Sequence, residues 1–443
     1  MRAKLILLLT AALSAGVSAR AQQGPWSLTD GIDYALEHNL TVRQSELTVE
    51  LREVDLNTAQ GRRLPGFRAS ASENLSFGRG LTADNTYSNS NTTSTSFSLG
   101  GDLPIFQGFD IVNGIKLSKL NLASATADLE KARDDIRVAV AQAYVQILYN
   151  QELLRVAHEQ AEHDAQLLEQ VQERLRAGKV SDAEVSAQQA TLAQSRQSEI
   201  QAEGNLQISL LELTQLLELP SPEGFSIITP EVGDPSRALL MRPEAIYEEA
   251  VAVKPVVEAA RLNADAAALG VDRAKGAYLP RLSLNGGIGS NYYTNSNSPV
   301  PLPNFGTQMK KNFSQSLGLS LSIPIFQRMS ARNGVRTAEI SLKSQQIQLE
   351  NVKKALYKEI QQAYYNAVTA QARYTGSQEA AASARQHYEL TEEKYKVGKA
   401  GVTDYNDARN NWLRAESEHI QARYQCLYQA KILDFYRGER LDF

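Results

Sequence analysis

The feature that most constrains this chain is the stretch Ile111–Arg176, 66 residues with no proline and a single glycine, Gly114. Apolar or small residues recur there in alternating steps of four and three: Ile136, Val140, Ala143, Ile147, Leu154, Ala157, Ala161, Leu168, Val171 and Leu175. Asn150 and Asp164 alone break the series. This is a heptad seam, the stripe that holds one supercoiled helix against its neighbours. At 1.5 Å per residue such a helix reaches ~100 Å. A second copy follows 220 residues later in the same register, from Leu356, Ile360, Ala363 and Ala367 to Tyr388 and Tyr395, with Ser377 and Thr391 as its polar members. All 14 prolines lie outside the two stretches.

The rest of the chain is doubled too. A short helical stretch, Trp26–Arg63, matches Arg242–Ala277, and each stops at a Gly followed by Leu-Pro, Leu64-Pro65 or Leu279-Pro280. Segments of about 11 residues with period-two alternation come next. Leu282, Leu284, Ile288 and Tyr292 oppose Ser283, Asn285, Gly287 and Asn291, while Phe313, Leu317, Leu319, Leu321 and Ile323 oppose Ser314, Ser316, Gly318, Ser320 and Ser322. The first repeat gives a fainter pair: Phe67, Ala69, Ala71, Leu75 and Phe77, with Glu73 breaking the face, then Phe97, Leu99 and Leu103. Leu103-Pro104-Ile105-Phe106-Gln107 and Ile323-Pro324-Ile325-Phe326-Gln327 close the strand pairs, and Gly178-Lys179 and Gly398-Lys399 close the long helices.

The expected order is therefore a first repeat over 22–219, with strands at 66–77 and 93–103, a long helix at 111–176 and a return helix at 181–219. A proline-rich linker follows at 220–243, then a second repeat over 244–443, with strands at 281–292 and 312–323, a long helix at 331–397 and a return helix at 403–436. The fold class is mixed: two copies of helix, strand, strand, long helix, helix, whose strands have the length of tilted membrane-spanning strands. One chain supplies four such strands, and in hydrocarbon the two open edges of that sheet must be paired. Closure by copies of the chain gives eight strands from two, twelve from three, or sixteen from four.

Residues 1–21 read as a secretory signal peptide: Arg2 and Lys4, the apolar run Leu5–Leu13, and Ala19-Arg20-Ala21 as cleavage site. Without them the chain carries 43 basic against 50 acidic residues, which argues against nucleic acid as a partner. The lone Cys426 excludes an intrachain disulfide and is read as a packed, inert thiol. No later run of apolar residues is long enough for a transmembrane helix, so entry into a membrane requires the strands. No catalytic constellation, cofactor fingerprint or metal-ligand spacing is present, and His38, His158, His163, His387 and His419 read as exposed surface residues.

Taken together, Trp26-Ser27-Leu28, the Leu-Pro helix ends, the Pro-Ile-Phe strand ends and the Gly-Lys tips, all doubled in order, resemble the TolC-like outer-membrane efflux channels. The resemblance covers essentially all of the chain after residue 21. It implies a trimer with a twelve-stranded β-barrel on a long α-helical coiled-coil barrel, in the outer membrane of a Gram-negative bacterium with a long periplasmic extension. It implies a conduit of a tripartite efflux or type I secretion system, with a periplasmic adaptor and an inner-membrane transporter of the RND, ABC or MFS class as partners, and no cofactor. Asp404 and Asp407, one turn apart on one helix face, fall on the family's acidic ring at the periplasmic gate. Tyr395 and Glu184 fall on its latch, Tyr395 being matched to a tyrosine that hydrogen-bonds the acid. Gly178, Lys179, Gly398 and Lys399 mark the tips expected to dock the adaptor. Two departures weaken an identical lock: Glu184 replaces the more familiar Asp, and Ala400 stands where the family's latch arginine is found. Two other readings fit the pattern: a non-conducting coiled-coil stalk or adhesin on an outer-membrane anchor, and a soluble periplasmic coiled-coil adaptor.

Overall fold

In the computed structural model the described residues are 24–81, 85–230, 240–296, 298 and 300–442. The signal peptide expected over 1–21 lies outside them. In chain order the elements are helices α1 (Leu28–His38) and α2 (Leu40–Gly61), strands β1 (Gly66–Ser76), β2 (Arg79–Leu81), β3 (Tyr87–Asn89) and β4 (Thr92–Gln107), and helices α3 (Asp110–Arg176) and α4 (Asp182–Leu216). Then come α5 (Pro243–Val253), α6 (Pro255–Lys275), β5 (Arg281–Asn295), α7 (Phe305–Lys311), β6 (Ser314–Ser322), α8 (Ser330–Lys396) and α9 (Val402–Tyr436). The two long helices are each 67 residues and the two return helices each 35.

Each short helical stretch is two helices rather than one, broken at matching places. Asn39 is extended (φ −62°, ψ 128°). Its N–H closes α1 on the Ala35 carbonyl at 2.8 Å, and its side-chain oxygen accepts from the Thr41 N–H at 2.9 Å to start α2. Lys254 is extended as well (φ −71°, ψ 124°), because the following Pro255 disfavours the helical region for it. Its ammonium is buried 3.2 Å from Asp134 and 3.6 Å above the Phe435 ring.

The chain forms two compact units, and neither coincides with a repeat. One holds Met1–Leu47, Ala127–Glu258 and Asn351–Phe443; the other holds Thr48–Thr126 and Ala259–Glu350. In the first, the helical seams are the core: Val140, Ile147, Val171, Leu356, Ile360, Ala367 and Ala370 are buried. So are three of the four polar residues that break them, Asn150, Asp164 and Thr391, while Ser377 is half-buried. Asn150 donates its amide to the Asn205 carbonyl at 3.2 Å, and Thr391 donates to the His387 carbonyl at 2.8 Å. Cys426 is buried against Ala370, Tyr374 and Ala422. Two histidines depart from the surface positions expected of them. His163 and His419 are half-buried, His419 stacked on Tyr374 with its ring centroid 5.2 Å away.

In the second unit β1, β4, β5 and β6 form one antiparallel sheet in that order. The register puts Ala69, Leu99 and Ile288 in one row and Leu103, Leu284 and Leu319 in another, so the apolar residues of all four strands share a face. That face is bare: Phe67 is 77% exposed and Leu317 79%. The opposite face is serine, glycine and asparagine, laced by hydroxyl pairs such as Ser70–Ser98 and Ser72–Ser96 at 2.7 Å. Glu73, the residue that broke the first strand's face, accepts a hydrogen bond from Thr95, which stands opposite Tyr292 at the polar end of the sheet. β4 runs four residues beyond its expected end at Leu103. It crosses Pro104 by a bulge between Pro104 and Phe106, since proline has no N–H for the ladder. Among the described residues β1 and β6 have no outer neighbour. No described helix is long and apolar enough to cross a membrane.

Within the first unit the linker is pinned by one side chain. Trp26 and Ile227 form a parallel bridge, and the buried Tyr144 hydroxyl donates to the carbonyls of Ile228 at 2.5 Å and Trp26 at 3.2 Å. Burial, opposed by the Ile228 hydrogen bond, pushes the Tyr144 pKa up to about 12. Tyr144→Phe strips the Ile228 carbonyl of this donor, while the Trp26 carbonyl keeps the Ile228 N–H at 2.9 Å, and is expected to cost about 1–3 kcal/mol, read as a lower denaturant midpoint at constant slope.

Candidate functional site

Both hairpin tips are built by the same backbone device. At the end of α3, Lys179 N–H bonds to the Arg174 carbonyl and Gly178 N–H to the Leu175 carbonyl, both at 2.9 Å. At the end of α8, Lys399 N–H bonds to Lys394 at 2.7 Å and Gly398 N–H to Tyr395 at 3.0 Å. These are the paired bonds of a Schellman motif, which requires a left-handed residue, and the two glycines supply it at φ +70° and +72°.

Gly178, Lys179, Gly398 and Lys399 are all exposed. Lys396, also at the tip, pairs with Glu392 of its own helix at 3.2 Å. Asp404 and Asp407 are exposed in the first turns of α9, and the Asp404 carboxylate accepts from the Gly401 N–H at 3.2 Å. In a single chain Asp404 therefore also serves as an end group for its helix, where the dipole favours an acid.

Tyr395 is buried, stacked on Tyr405 with centroids 5.0 Å apart, and the Arg174 guanidinium lies 5.6 Å from its centroid. Glu184, half-buried in the first turn of α4, is its acidic neighbour. Burial first, and then the Glu184 charge, raise the Tyr395 pKa. Hydrogen bonding to Glu184 adds to that rise. Ala400 lines the apolar cluster beneath the tips, with Leu167, Val171, Val185, Tyr388 and Tyr405 at its heart.

A polar centre the sequence did not disclose lies among these same helices. Asp164, the seam-breaking acid of α3, is 0% exposed and paired with Arg409 of α9, itself 2% exposed. Gln160 donates to the same carboxylate at 2.7 Å, Ser195 of α4 donates to it too, and Gln188 approaches it at 3.5 Å. Next to Asp164, His163 shares a hydrogen bond of 2.7 Å with Tyr405, whose hydroxyl lies 3.3 Å from that of Tyr388 on α8. One signal for this centre was present, a charge inside a heptad seam. Its partner Arg409, four residues beyond the buried Tyr405 on α9, carried no such signal.

Removing one member of a buried ion pair leaves the other uncompensated. Asp164→Leu or Arg409→Met alone is expected to destabilise the protein by about 3–5 kcal/mol, measured by chemical denaturation. Burial, with the Arg409 charge adding to it, lowers the His163 pKa below its ordinary 6.5. The unfolded chain then takes up this proton before the folded one, so stability is retained above that value and declines as pH falls below it. His163→Gln should flatten that acid limb between pH 7 and 5; an unaltered limb would contradict a buried neutral imidazole.

The outer membrane efflux protein family model matches residues 31–218 and 246–439. Protein CyaE of Bordetella pertussis is 26% identical over 93% of this chain and 84% of its own length. Outer membrane protein TolC of Escherichia coli is 26% identical over 79% of this chain and 71% of its own. Fusaric acid resistance protein FusA of Burkholderia cepacia is 30% identical over 53% of this chain, a match spanning only 43% of that relative. Among solved structures, the CmeC outer membrane channel of Campylobacter jejuni superposes with a TM-score of 0.78 at 20% identity, covering 97% of this chain and 92% of that one. VceC, the outer membrane protein of Vibrio cholerae, gives 0.75 at 19% identity, covering 94% and 96%. With both halves of the chain matched in order, this protein belongs to the outer membrane efflux protein family.

Proposed function

We propose that the chain is one third of an outer-membrane conduit. The observation that carries this reading is the sheet: an exposed apolar face, an opposite face of serine and glycine, and edge strands β1 and β6 without outer neighbours among the described residues. Hydrocarbon accepts the first face, a water-filled lumen the second, and neither accepts an open edge. Three copies joined edge to edge, β6 of one to β1 of the next, make a closed twelve-stranded barrel. The paired helical hairpins then form a periplasmic tunnel with the two Gly-Lys tips at its far end. No bond-making step is needed from this chain, and the work of export falls to its partners.

The tips form the gate in this reading. Threefold repetition of the exposed Asp404 and Asp407 places six carboxylates at one level, a ring that attracts cations. Tyr395 and Glu184 border it, and Gly178, Lys179, Gly398 and Lys399 offer the surface for a periplasmic adaptor that links the conduit to an inner-membrane RND, ABC or MFS transporter.

The reading is tested by planar-bilayer recording of the purified, detergent-extracted protein. Cation-selective steps are expected, and Asp404→Asn with Asp407→Asn should lower the selectivity and relieve block by multivalent cations. Unchanged selectivity would remove these acids from the pore. On the sheet, Leu319→Arg in the apolar face should cost about 2–4 kcal/mol if it lies at the bilayer midplane, seen as reduced assembly into lipid vesicles. Assembly as efficient as that of the wild type would contradict a lipid-facing position.

A further inference from the structure

The polar face of the four-stranded sheet is almost without charge, and its few charges are placed unevenly. Strand alternation and register put Arg68 of β1, Asp102 of β4 and Arg281 of β5 on that face, and all three are exposed. Its remaining positions in β1, β4, β5 and β6 hold no other Lys, Arg, His, Asp or Glu. Counted from the helical end of the strands, Arg281 comes first, opposite Gln107, and Asp102 next, opposite Asn285. Arg68 stands highest, level with Gly100 and Gly287. Beyond it toward the loops the face is serine, threonine, asparagine, glycine and Tyr293.

The two glycines beside Arg68 are not there for close packing. A Cβ on Gly100 would meet nothing nearer than the Gly286 carbonyl oxygen at 3.8 Å, and one on Gly287 nothing nearer than the Leu99 carbonyl oxygen at 3.4 Å. Neither has a left-handed backbone. What they leave is a bare floor around one long side chain. Asp102 faces Gly66, diagonal to Arg68, and among the described residues Arg68 pairs with no acid. A free guanidinium presents a planar fork of N–H donors that takes carboxylate or phosphate oxygens two at a time. Twelve strands about 4.8 Å apart and tilted about 40° enclose a backbone ring of roughly 12 Å radius. An extended arginine covers a good part of that distance, so three copies of Arg68 converge around the axis.

We propose that Arg68 is a specificity-determining residue of the conduit, its three copies forming a ring inside the barrel that binds multivalent oxyanions, carboxylates and phosphates alike, on their way out. The inference rests on the reading of the polar face as the lumen of a three-chain barrel. It is separate from Asp404 and Asp407, which act on small ions at the tips. Arg68 acts inside the barrel, on solutes with enough negative charge to engage more than one guanidinium group. Its reach is set by salt, the field of a fixed charge fading over about 8 Å at physiological ionic strength and over about 30 Å in dilute salt.

The experiment measures block of single-channel current by inorganic pyrophosphate, added to each side of a planar bilayer in turn, at low and high KCl. The proteins are the full-length wild type, Arg68→Ser, Arg68→Lys and Gly100→Asp. Serine already stands at 70 and 72 on the same face, so Arg68→Ser is expected to assemble, as light scattering of the detergent complex will verify. The half-blocking concentration should rise at least about tenfold in Arg68→Ser, the loss of a charge-assisted contact, and less in Arg68→Lys, which keeps the charge without the fork. Gly100→Asp, which sets an acid beside the intact arginine, should weaken block as well and carries the test where Arg68→Ser does not assemble. Block of the wild type should fade at high KCl and persist in Asp404→Asn with Asp407→Asn. A wild type that pyrophosphate leaves unblocked, or equal block in wild type and assembled variants, would overturn the inference while leaving the conduit intact. Absence of current from the wild type and from every variant would instead contradict the conduit itself, and the inference with it.

Discussion

A backbone hydrogen bond that has no partner costs most where there is no water, and the rest of this molecule follows from how that cost is met. The sheet has a bare apolar face and two edge strands, β1 and β6. Alone in a bilayer it would leave two rows of amides and carbonyls unpaired. Copies of the chain can pair them, and the internal repeat makes this natural, because each chain already contains two strand pairs joined at β4 and β5 in the manner required between chains. The long helices meet the same requirement internally, with their polar backbone consumed by their own turns and their side-chain seam left to be packed.

The seams show how a helix of 67 residues keeps one register. Aliphatic residues supply most of the burial, and they would tolerate a slide by one heptad. Polar residues set into the stripe do not. Asn150 finds a backbone carbonyl on α4, and Asp164 finds Arg409 on α9. Each such contact is weak evidence for stability, since buried charges lose hydration, but it is good evidence for a specified alignment. The strongest of them, Asp164 with Arg409, lies under the tips, beneath the apolar cluster into which Ala400 packs.

Much of this was legible in the sequence, for identifiable reasons. Period-two alternation exposes the faces of β5 and β6 because a strand has no other way to place Leu319 and Ser320. The glycines at 178 and 398 mark the tips because a Schellman turn admits little else. The breaks at Asn39 and Lys254 were missed because one extended residue does not disturb the apolar periodicity on either side, although Pro255 announced the second. The short hairpin of β2 and β3 and the seven-residue α7 were missed because polar loops carry no periodic signal. Arg409 was missed because a lone charge on a helix reads as solvent-facing until its partner is known, and that partner lies 245 residues away in the chain. His163 reads as a surface residue on the same logic.

The claim on which the account stands is that the open sheet is closed by copies of itself. The most direct measurement is the mass of the protein part of the detergent-extracted complex, by native mass spectrometry or light scattering corrected for detergent. The account predicts three chains of 48.7 kDa, less any leader removed on export. A monomer that retains the full sheet in detergent, or a closed dimer, would contradict it.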